Sequence, residues 1–168
     1  MADTADMAAN LNAAAGASQN GMPQKKILVI DDSRTIVDVL RLAIEQLRHD
    51  AVVVASNGIE GLQQFERERP DCVVVDVMMP HLDGFQLTRL LRGDSGSRQT
   101  PLIIMTTLGG ADKQLTGLLS GADEYLVKPF TGHQLCDAIE RVMAITPEER
   151  ERRIKRLAEG HTGEPPQR

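Results

Sequence analysis

The sequence has 168 residues and a formal net charge of −5 at pH 7, a length that suits one compact domain with flexible ends rather than two domains. Hydrophobic residues make up 41% of the chain, which is enough to bury a core. The absence of Trp, with one Tyr and three Phe, argues against a stacking platform for single-stranded nucleic acid. The acidic balance also disfavours a surface that generally attracts phosphate backbones.

Residues 1–24, rich in Ala, Asn, Gly and Ser, predict a flexible leader. No Lys or Arg precedes Lys25 and no continuous apolar stretch follows, so the leader does not resemble a secretion signal. No apolar run approaches the roughly 20 residues that cross a bilayer. Cys72 and Cys136 lie in apolar patterns, which is typical of buried thiols in a reducing compartment. We therefore expect a cytoplasmic protein that does not enter a membrane.

Five short apolar runs follow the leader, and their unbroken β-branched character predicts strands covered on both faces. These runs are 27–30, 51–54, 72–75, 102–105 and 125–127. Apolar residues at helical spacing mark a helix after each strand. The five predicted helices contain residues 36–47, 62–65, 87–91, 115–119 and 135–143. Strands that alternate with helices predict a parallel sheet with helices on both faces.

A sixth helix is predicted after residue 145, because Thr146 can cap it, Pro147 suits its first turn and Glu149 stands three residues after the cap. Gly160 ends the pattern. This segment is locally basic and is predicted to lie on the surface. Its basic residues are Arg150, Arg152, Arg153, Lys155 and Arg156. They are either a solvated helix face balanced by glutamates or a docking element for an acidic partner, nucleotide or nucleic acid.

Polar side chains follow four of the five predicted strands. Asp31 and Asp32 follow the first strand, Asp76 the third, Thr106 the fourth and Lys128 the fifth. Taken singly, each has an ordinary explanation as a helix cap, a strand-end hydroxyl or a solvated charge. In open parallel sheets, however, sites form where the carboxyl ends of strands meet, so their joint placement predicts a pocket.

If the strand order is 2-1-3-4-5, three carboxylates converge in that pocket. Such close like charges resist ionisation unless a cation neutralises them. Mg²⁺ suits this place, because it takes one or two carboxylates and leaves a position for a phosphate oxygen. Lys128 adds a second positive charge, and Thr106 offers a hydroxyl donor. This inventory indicates phosphoryl transfer, with the carboxylate of Asp76 as the nucleophile.

Residues 25–145 resemble a receiver domain of the bacterial two-component response-regulator family. Four stretches carry the resemblance: 27–33, 73–85, 101–107 and 121–130. The resemblance implies a flavodoxin-like, doubly wound sheet of five parallel strands in the order 2-1-3-4-5. The domain organisation that follows is a leader (1–24), a receiver domain (25–145) and a short helix with a frayed tail (146–168), without a separate output domain.

The resemblance also implies a role for each matching residue. Asp76 is similar to the phosphoacceptor. Asp31 and Asp32 are similar to the acidic pair that binds Mg²⁺, and the backbone carbonyl of Met78 completes the protein ligands together with Asp76. Thr106 and Lys128 match the hydroxyl and the lysine that bind the phosphoryl group. Tyr125 matches the aromatic switch residue, and the Lys128–Pro129 bond is expected to be cis.

The implied function is a phosphorylation-dependent response regulator rather than an enzyme. Its expected partners are a histidine kinase or histidine phosphotransfer protein and a downstream protein target. Pairing of two chains through the fourth predicted helix, the fifth strand and the fifth predicted helix is left open. No DNA-binding domain is expected. Thr107 is larger than the residue usual in the family, and Gly109-Gly110 predicts a mobile loop.

Three other functions compete with this one. A phosphatase of the haloacid-dehalogenase type also uses an Asp nucleophile and Mg²⁺, but it needs a second Asp where Met78 stands. A receiver-like binding scaffold that is never phosphorylated would be expected to have lost some of the functional residues. A dinucleotide-binding domain requires a Gly-rich loop after the first strand, and Asp31-Asp32-Ser33 stands there instead.

Overall fold

A computed structural model describes residues 24–107 and 120–160 of the chain. Most of the predicted leader, the helix predicted around 115–119, the Gly109-Gly110 loop and the tail beyond Gly160 lie outside the described residues. The predictions made for those segments stay predictions.

Five strands form one parallel sheet in the order β2-β1-β3-β4-β5. Their bounds are β1 Lys26–Ile30, β2 Ala51–Ala55, β3 Cys72–Asp76, β4 Leu102–Thr106 and β5 Glu124–Val127. Each strand contains the apolar run that predicted it. The predicted order is confirmed, and with it the meeting of β1 and β3 at the centre of the sheet.

Five helices are described: α1 Arg34–Leu47, α2 Gly58–Glu68, α3 Gly84–Gly93, α4 Gly132–Met143 and α5 Pro147–Gly160. Short polar side chains cap several of them, because the first N–H groups of a helix have no partner within it. Asp83 and Thr131 each form a reciprocal capping box with a glutamine three residues later. Thr146 Oγ1 accepts a hydrogen bond from Glu149 N at 3.2 Å, so the predicted start of the last helix is confirmed.

Successive side chains of the central strands enter two separate cores. Leu28, Val73 and Ile104 face α2 and α3, where Phe65 and Leu87 close the core. Their neighbours along the strands face α1 and α4 on the opposite side of the sheet. That second core includes Ile27, Val29, Val74, Ile103, Met105, Ile44 and Ile139. The unbroken apolar runs exist because both faces of the sheet are covered.

The expectation that all five strands are fully covered is wrong for the two edge strands. β1, β3 and β4 are buried almost throughout. In β2, three residues are half-buried and Val54 is 37% exposed, and all four residues of β5 are half-buried. An edge strand has one neighbouring strand instead of two, so part of its surface stays open to solvent.

The last helix is attached to the domain by a buried ion pair, so the prediction that its basic residues lie on the surface is wrong for Arg150. The Arg150 side chain is 4% exposed, and its Nε donates to Asp123 Oδ1 at 2.9 Å. Its other nitrogens donate to the carbonyls of Gln99 at 3.0 Å and Val142 at 2.8 Å. Asp123 also pairs with Arg92 at 3.0 Å. Arg150 is therefore an internal anchor and not part of a solvated face.

Candidate functional site

Four predicted site residues lie together at the carboxyl edge of the sheet. Asp31 directly follows β1, Asp76 ends β3, Thr106 ends β4 and Lys128 directly follows β5. Asp31 is 2% exposed, Asp76 4% and Thr106 0%. Buried carboxylates of this kind are rare unless they are paired or hydrogen-bonded.

The ammonium group of Lys128 joins the two buried carboxylates. Its Nζ lies 2.9 Å from Asp31 Oδ2 and 2.8 Å from Asp76 Oδ1. Burial works to lower the pKa of Lys128, but its hydrogen bonds to Asp76 and Asp31 outweigh burial, so the pKa lies above its ordinary value. The lysine is thus held protonated between two anions, where it offsets part of their mutual repulsion.

Backbone N–H groups hold the second oxygen of each carboxylate. Ser33 N donates to Asp31 Oδ1 at 2.9 Å, and Met78 N donates to Asp76 Oδ2 at 2.7 Å. Charge-assisted hydrogen bonds of this kind fix the orientation of a carboxylate. Ser33 lies at the N-cap of α1, but its side chain makes no capping hydrogen bond.

The turn that follows Asp76 depends on a glycine that the sequence argument did not assign to the site. A Cβ on Gly84 would contact the backbone carbonyl of Asp76, lying 3.0 Å from its carbon and overlapping its oxygen. Gly84 N also donates to Val77 O at 3.2 Å. The chain around the site closes because Gly84 has no side chain. A glycine directly after the cap residue Asp83 was the sequence signal that could have indicated this close approach.

The remaining predicted residues lie outside the buried group, and of these Met78 contacts it through a backbone hydrogen bond. The side chain of Asp32 is exposed. Met78 is 58% exposed and contacts Asp76 through its N–H. Tyr125 packs against the core beneath α2 and α3, and its buried hydroxyl has no hydrogen-bond partner within the described part of the chain. Thr107 is exposed.

The donor set of the site fits a hard divalent cation, although a complete metal cluster is not assembled. Across residues 24–107 and 120–160, no group of three or more His, Cys, Asp or Glu side chains is placed to hold a metal ion. Asp31 and Asp76 nevertheless offer carboxylate oxygens that already share one cation, the Lys128 ammonium. Oxygen ligands of this kind are those that Mg²⁺ takes in proteins.

Comparison with known proteins identifies the family. The sequence model of one protein family, the response regulator receiver domain, matches residues 27–140, well over half of the chain. The chain belongs to the response regulator receiver family. The sheet order and the arrangement of the helices agree with the flavodoxin-like fold expected of a receiver, and the Lys128–Pro129 bond is cis, as the resemblance implied.

Three relatives illustrate how far this receiver resembles known members. The probable transcriptional regulator ycf27 of Guillardia theta is 39% identical over 73% of this chain and 47% of its own length. Protein PilG of Pseudomonas aeruginosa is 35% identical over 73% of this chain and 90% of its own length. The chemotaxis response regulator CheY4 of Vibrio cholerae has a TM-score of 0.67 at 31% identity, covering 71% of this chain and 98% of its own.

The match to ycf27 proteins is partial. This chain spans about half the length of those relatives, whereas it spans nearly all of PilG. Membership in the receiver family supports a part in two-component response regulation. Among residues 24–107 and 120–160, no helix has the length and apolar character needed to cross a membrane.

Proposed function

We propose that this receiver is a switch that accepts a phosphoryl group on Asp76 and signals through altered protein–protein contacts, without turning over a substrate of its own. The observation that carries the proposal is the ammonium of Lys128, which lies within 2.9 Å of both Asp31 and Asp76. A buried carboxylate beside a fixed cation can attack phosphorus, and the cation can neutralise charge on the phosphoryl oxygens.

The chemistry requires no general base. An ionised oxygen of Asp76 forms a bond to the phosphorus of a phosphohistidine or of acetyl phosphate, and the bond from phosphorus to the donor breaks. Bound Mg²⁺ would neutralise charge on the transferred group. Asp31, Asp32, Asp76 and the carbonyl of Met78 are the residues that would hold it. Lys128 already contacts Asp76, so it is placed to pair with the phosphoryl oxygens.

The conformational response follows from the added charge. A phosphoryl group brings about −1.5 to −2 charges and several strong acceptor oxygens. The Thr106 hydroxyl and Lys128 can turn toward those oxygens, and Tyr125 can then move into the vacated space. The site then has two alternative arrangements, one before and one after phosphorylation, and the added charge favours the second. A histidine kinase or phosphotransfer protein in the cytoplasm would supply the phosphoryl group, and a downstream protein would bind the switched surface. Pairing of two chains through the fourth predicted helix, β5 and α4 is a further outcome that such a change would favour.

Intact-mass spectrometry after incubation with acetyl phosphate and Mg²⁺ tests the proposal. We expect one labile phosphate adduct on the wild type, none on Asp76→Asn, and an unchanged adduct on Asp137→Asn, a control at an exposed aspartate of α4. EDTA should suppress the adduct. An adduct that persists on Asp76→Asn would place the phosphoacceptor elsewhere. No adduct on any protein, even with histidine kinases present, would favour a binding scaffold.

A further inference from the structure

The helix α5 lies beyond the family match, which ends at residue 140, and its orientation on the domain is fixed. Arg150 is buried against Asp123. One residue later, both carboxylate oxygens of Glu151 accept from Arg98 Nη2, at 2.8 and 2.9 Å, and Gln99 Nε2 donates to Glu151 at 3.1 Å. These contacts on one side of the helix determine which of its residues face outward.

Two of the three glutamates in the first two turns of the helix already have partners. Glu151 is bound to Arg98, and Glu149 pairs with Arg153 at 2.6 Å. Glu148 is exposed and forms no ion pair within the described residues. Within residues 147–156, Arg150 and Arg153 therefore have carboxylate partners, and Arg152, Lys155 and Arg156 do not.

Three exposed cations remain on the outer side of α5: Arg152, Lys155 and Arg156. The guanidinium groups of Arg152 and Arg156 each donate to a backbone carbonyl one turn earlier, at 3.4 Å. None of the three forms an ion pair with residues 24–107 or 120–156, the ranges whose side chains the structure describes. Because residues three and four apart are neighbours on a helix surface, they form one continuous patch, which we call the basic face.

We propose that the basic face is a docking surface for an acidic segment of a partner protein. Three cations within about one helical turn match a short run of carboxylates. Proteins that bind duplex DNA tightly through phosphates can make about 6–10 such contacts, and this chain carries a net charge of −5, which repels an extended polyanion. A short acidic peptide makes its contacts locally and avoids most of that repulsion.

The docking surface is remote from the proposed phosphoacceptor. α5 is anchored through Asp123, which precedes β5 and whose Oδ2 accepts from Leu102 N at 2.9 Å, at the start of β4. Asp76 and Lys128 lie at the opposite, carboxyl edge of the sheet. Binding at the basic face is therefore separate from phosphorylation, and its test does not depend on the outcome of the mass-spectrometric experiment.

Fluorescence anisotropy with a labelled polyglutamate peptide at low salt tests this inference on the full chain. The variant Arg152→Gln/Arg156→Gln removes two guanidiniums from the basic face. The matched control, Arg69→Gln/Arg89→Gln, removes two exposed arginines that form no ion pair within the described residues. We expect the first variant to bind about tenfold more weakly than the wild type, from the loss of two exposed ion pairs, and the control to bind like the wild type.

Lys155→Gln provides a second, single substitution on the same face, and it should weaken binding in the same direction. Circular dichroism checks that each variant is folded. Equal binding by the wild type and Arg152→Gln/Arg156→Gln, or no binding of the peptide by the wild type, would overturn the proposal. Tighter binding of duplex DNA or of phosphatidylserine vesicles than of the peptide would also overturn it, in favour of a nucleic acid or a membrane.

Discussion

Replacing Arg150 with Met removes a buried guanidinium while keeping a long side chain in its place. Three hydrogen bonds disappear: one to the carboxylate of Asp123 at 2.9 Å and two to the carbonyls of Gln99 and Val142, at 3.0 and 2.8 Å. Asp123 keeps Arg92 at 3.0 Å as a partner. The substitution therefore weakens the attachment of α5 without leaving the carboxylate wholly unpaired.

The size of the effect follows from what remains unsatisfied. Breaking a buried ion pair by removing one partner typically costs about 3–5 kcal/mol, and each carbonyl left without a donor costs about 1–3 kcal/mol. Two factors reduce this loss. Asp123 stays paired, and Arg92, whose pKa is lowered by burial and by the charge of Arg150, is relieved of that repulsion. We therefore expect Arg150→Met to lower the free energy of unfolding by about 3 kcal/mol, or the melting temperature by about 10 °C.

Urea denaturation followed by circular dichroism measures this loss, and Arg153→Met is the matched control. Arg153 lies on the same helix and pairs with Glu149, but both side chains are 42% exposed, so the same substitution there should cost less than about 1 kcal/mol. A loss at position 150 no larger than the loss at position 153 would refute the argument that burial makes Arg150 the anchor of α5.

Three further predictions concern the site and the core. Gly84→Ala should destabilise the domain by about 1–3 kcal/mol, because its Cβ meets backbone. Gly93→Ala, with nothing within 4 Å of the new Cβ, should change stability by less than about 1 kcal/mol in urea denaturation; equal effects would contradict this reasoning. The hydrogen bonds that raise the pKa of Lys128 should stabilise the fold at pH values below its ordinary pKa of 10.5 and lose that effect as the pH rises through the raised value. The stability difference between the wild type and Lys128→Met should therefore shrink at alkaline pH. A difference that stays constant with pH would argue against a stabilising role for these hydrogen bonds. Burial raises the pKa of the Cys72 thiol, so iodoacetamide should leave Cys72 unmodified in the native protein and modify both Cys72 and Cys136 in urea, as read by peptide mass. Rapid alkylation of Cys72 in the native protein would contradict this expectation, because it would require β3 to open to solvent.

The sheet could be predicted because its signals are local. Each apolar run became a strand, and the run Cys72–Val75 is fully buried because helices cover both faces of the sheet. Turn and cap chemistry predicted the last helix equally well, with Thr146 as its cap. The exposure of Val54 could not be predicted from such local signals, because the apolar composition of β2 matches that of the central strands. Only the position of β2 at the edge of the sheet differs.

The meeting of three site residues could be predicted from the sequence, but their individual contacts could not. Asp31, Asp76 and Lys128 were expected to meet because parallel strands bring their carboxyl ends to one edge. That one ammonium bridges both carboxylates depends on the register of β3, β4 and β5, which pairs Asp76 with Met105 and Thr106 with Val127. The close approach of Gly84 to Asp76 likewise depends on how the intervening turn closes.

The burial of Arg150 could not be predicted from the sequence. In the sequence it is one of five basic residues in a short polar helix, and nothing in its spacing separates it from Arg152 or Arg153. In the structure it is the buried member of that group, because the loop carrying Asp123 and the end of α4 come together beside it. The sequence by itself determined the strands, the described helices and the polar residues at one edge of the sheet, since hydrophobic periodicity and capping act over a few neighbouring residues. Only the tertiary structure decided which charges are buried and paired, because burial depends on segments that are far apart in the chain.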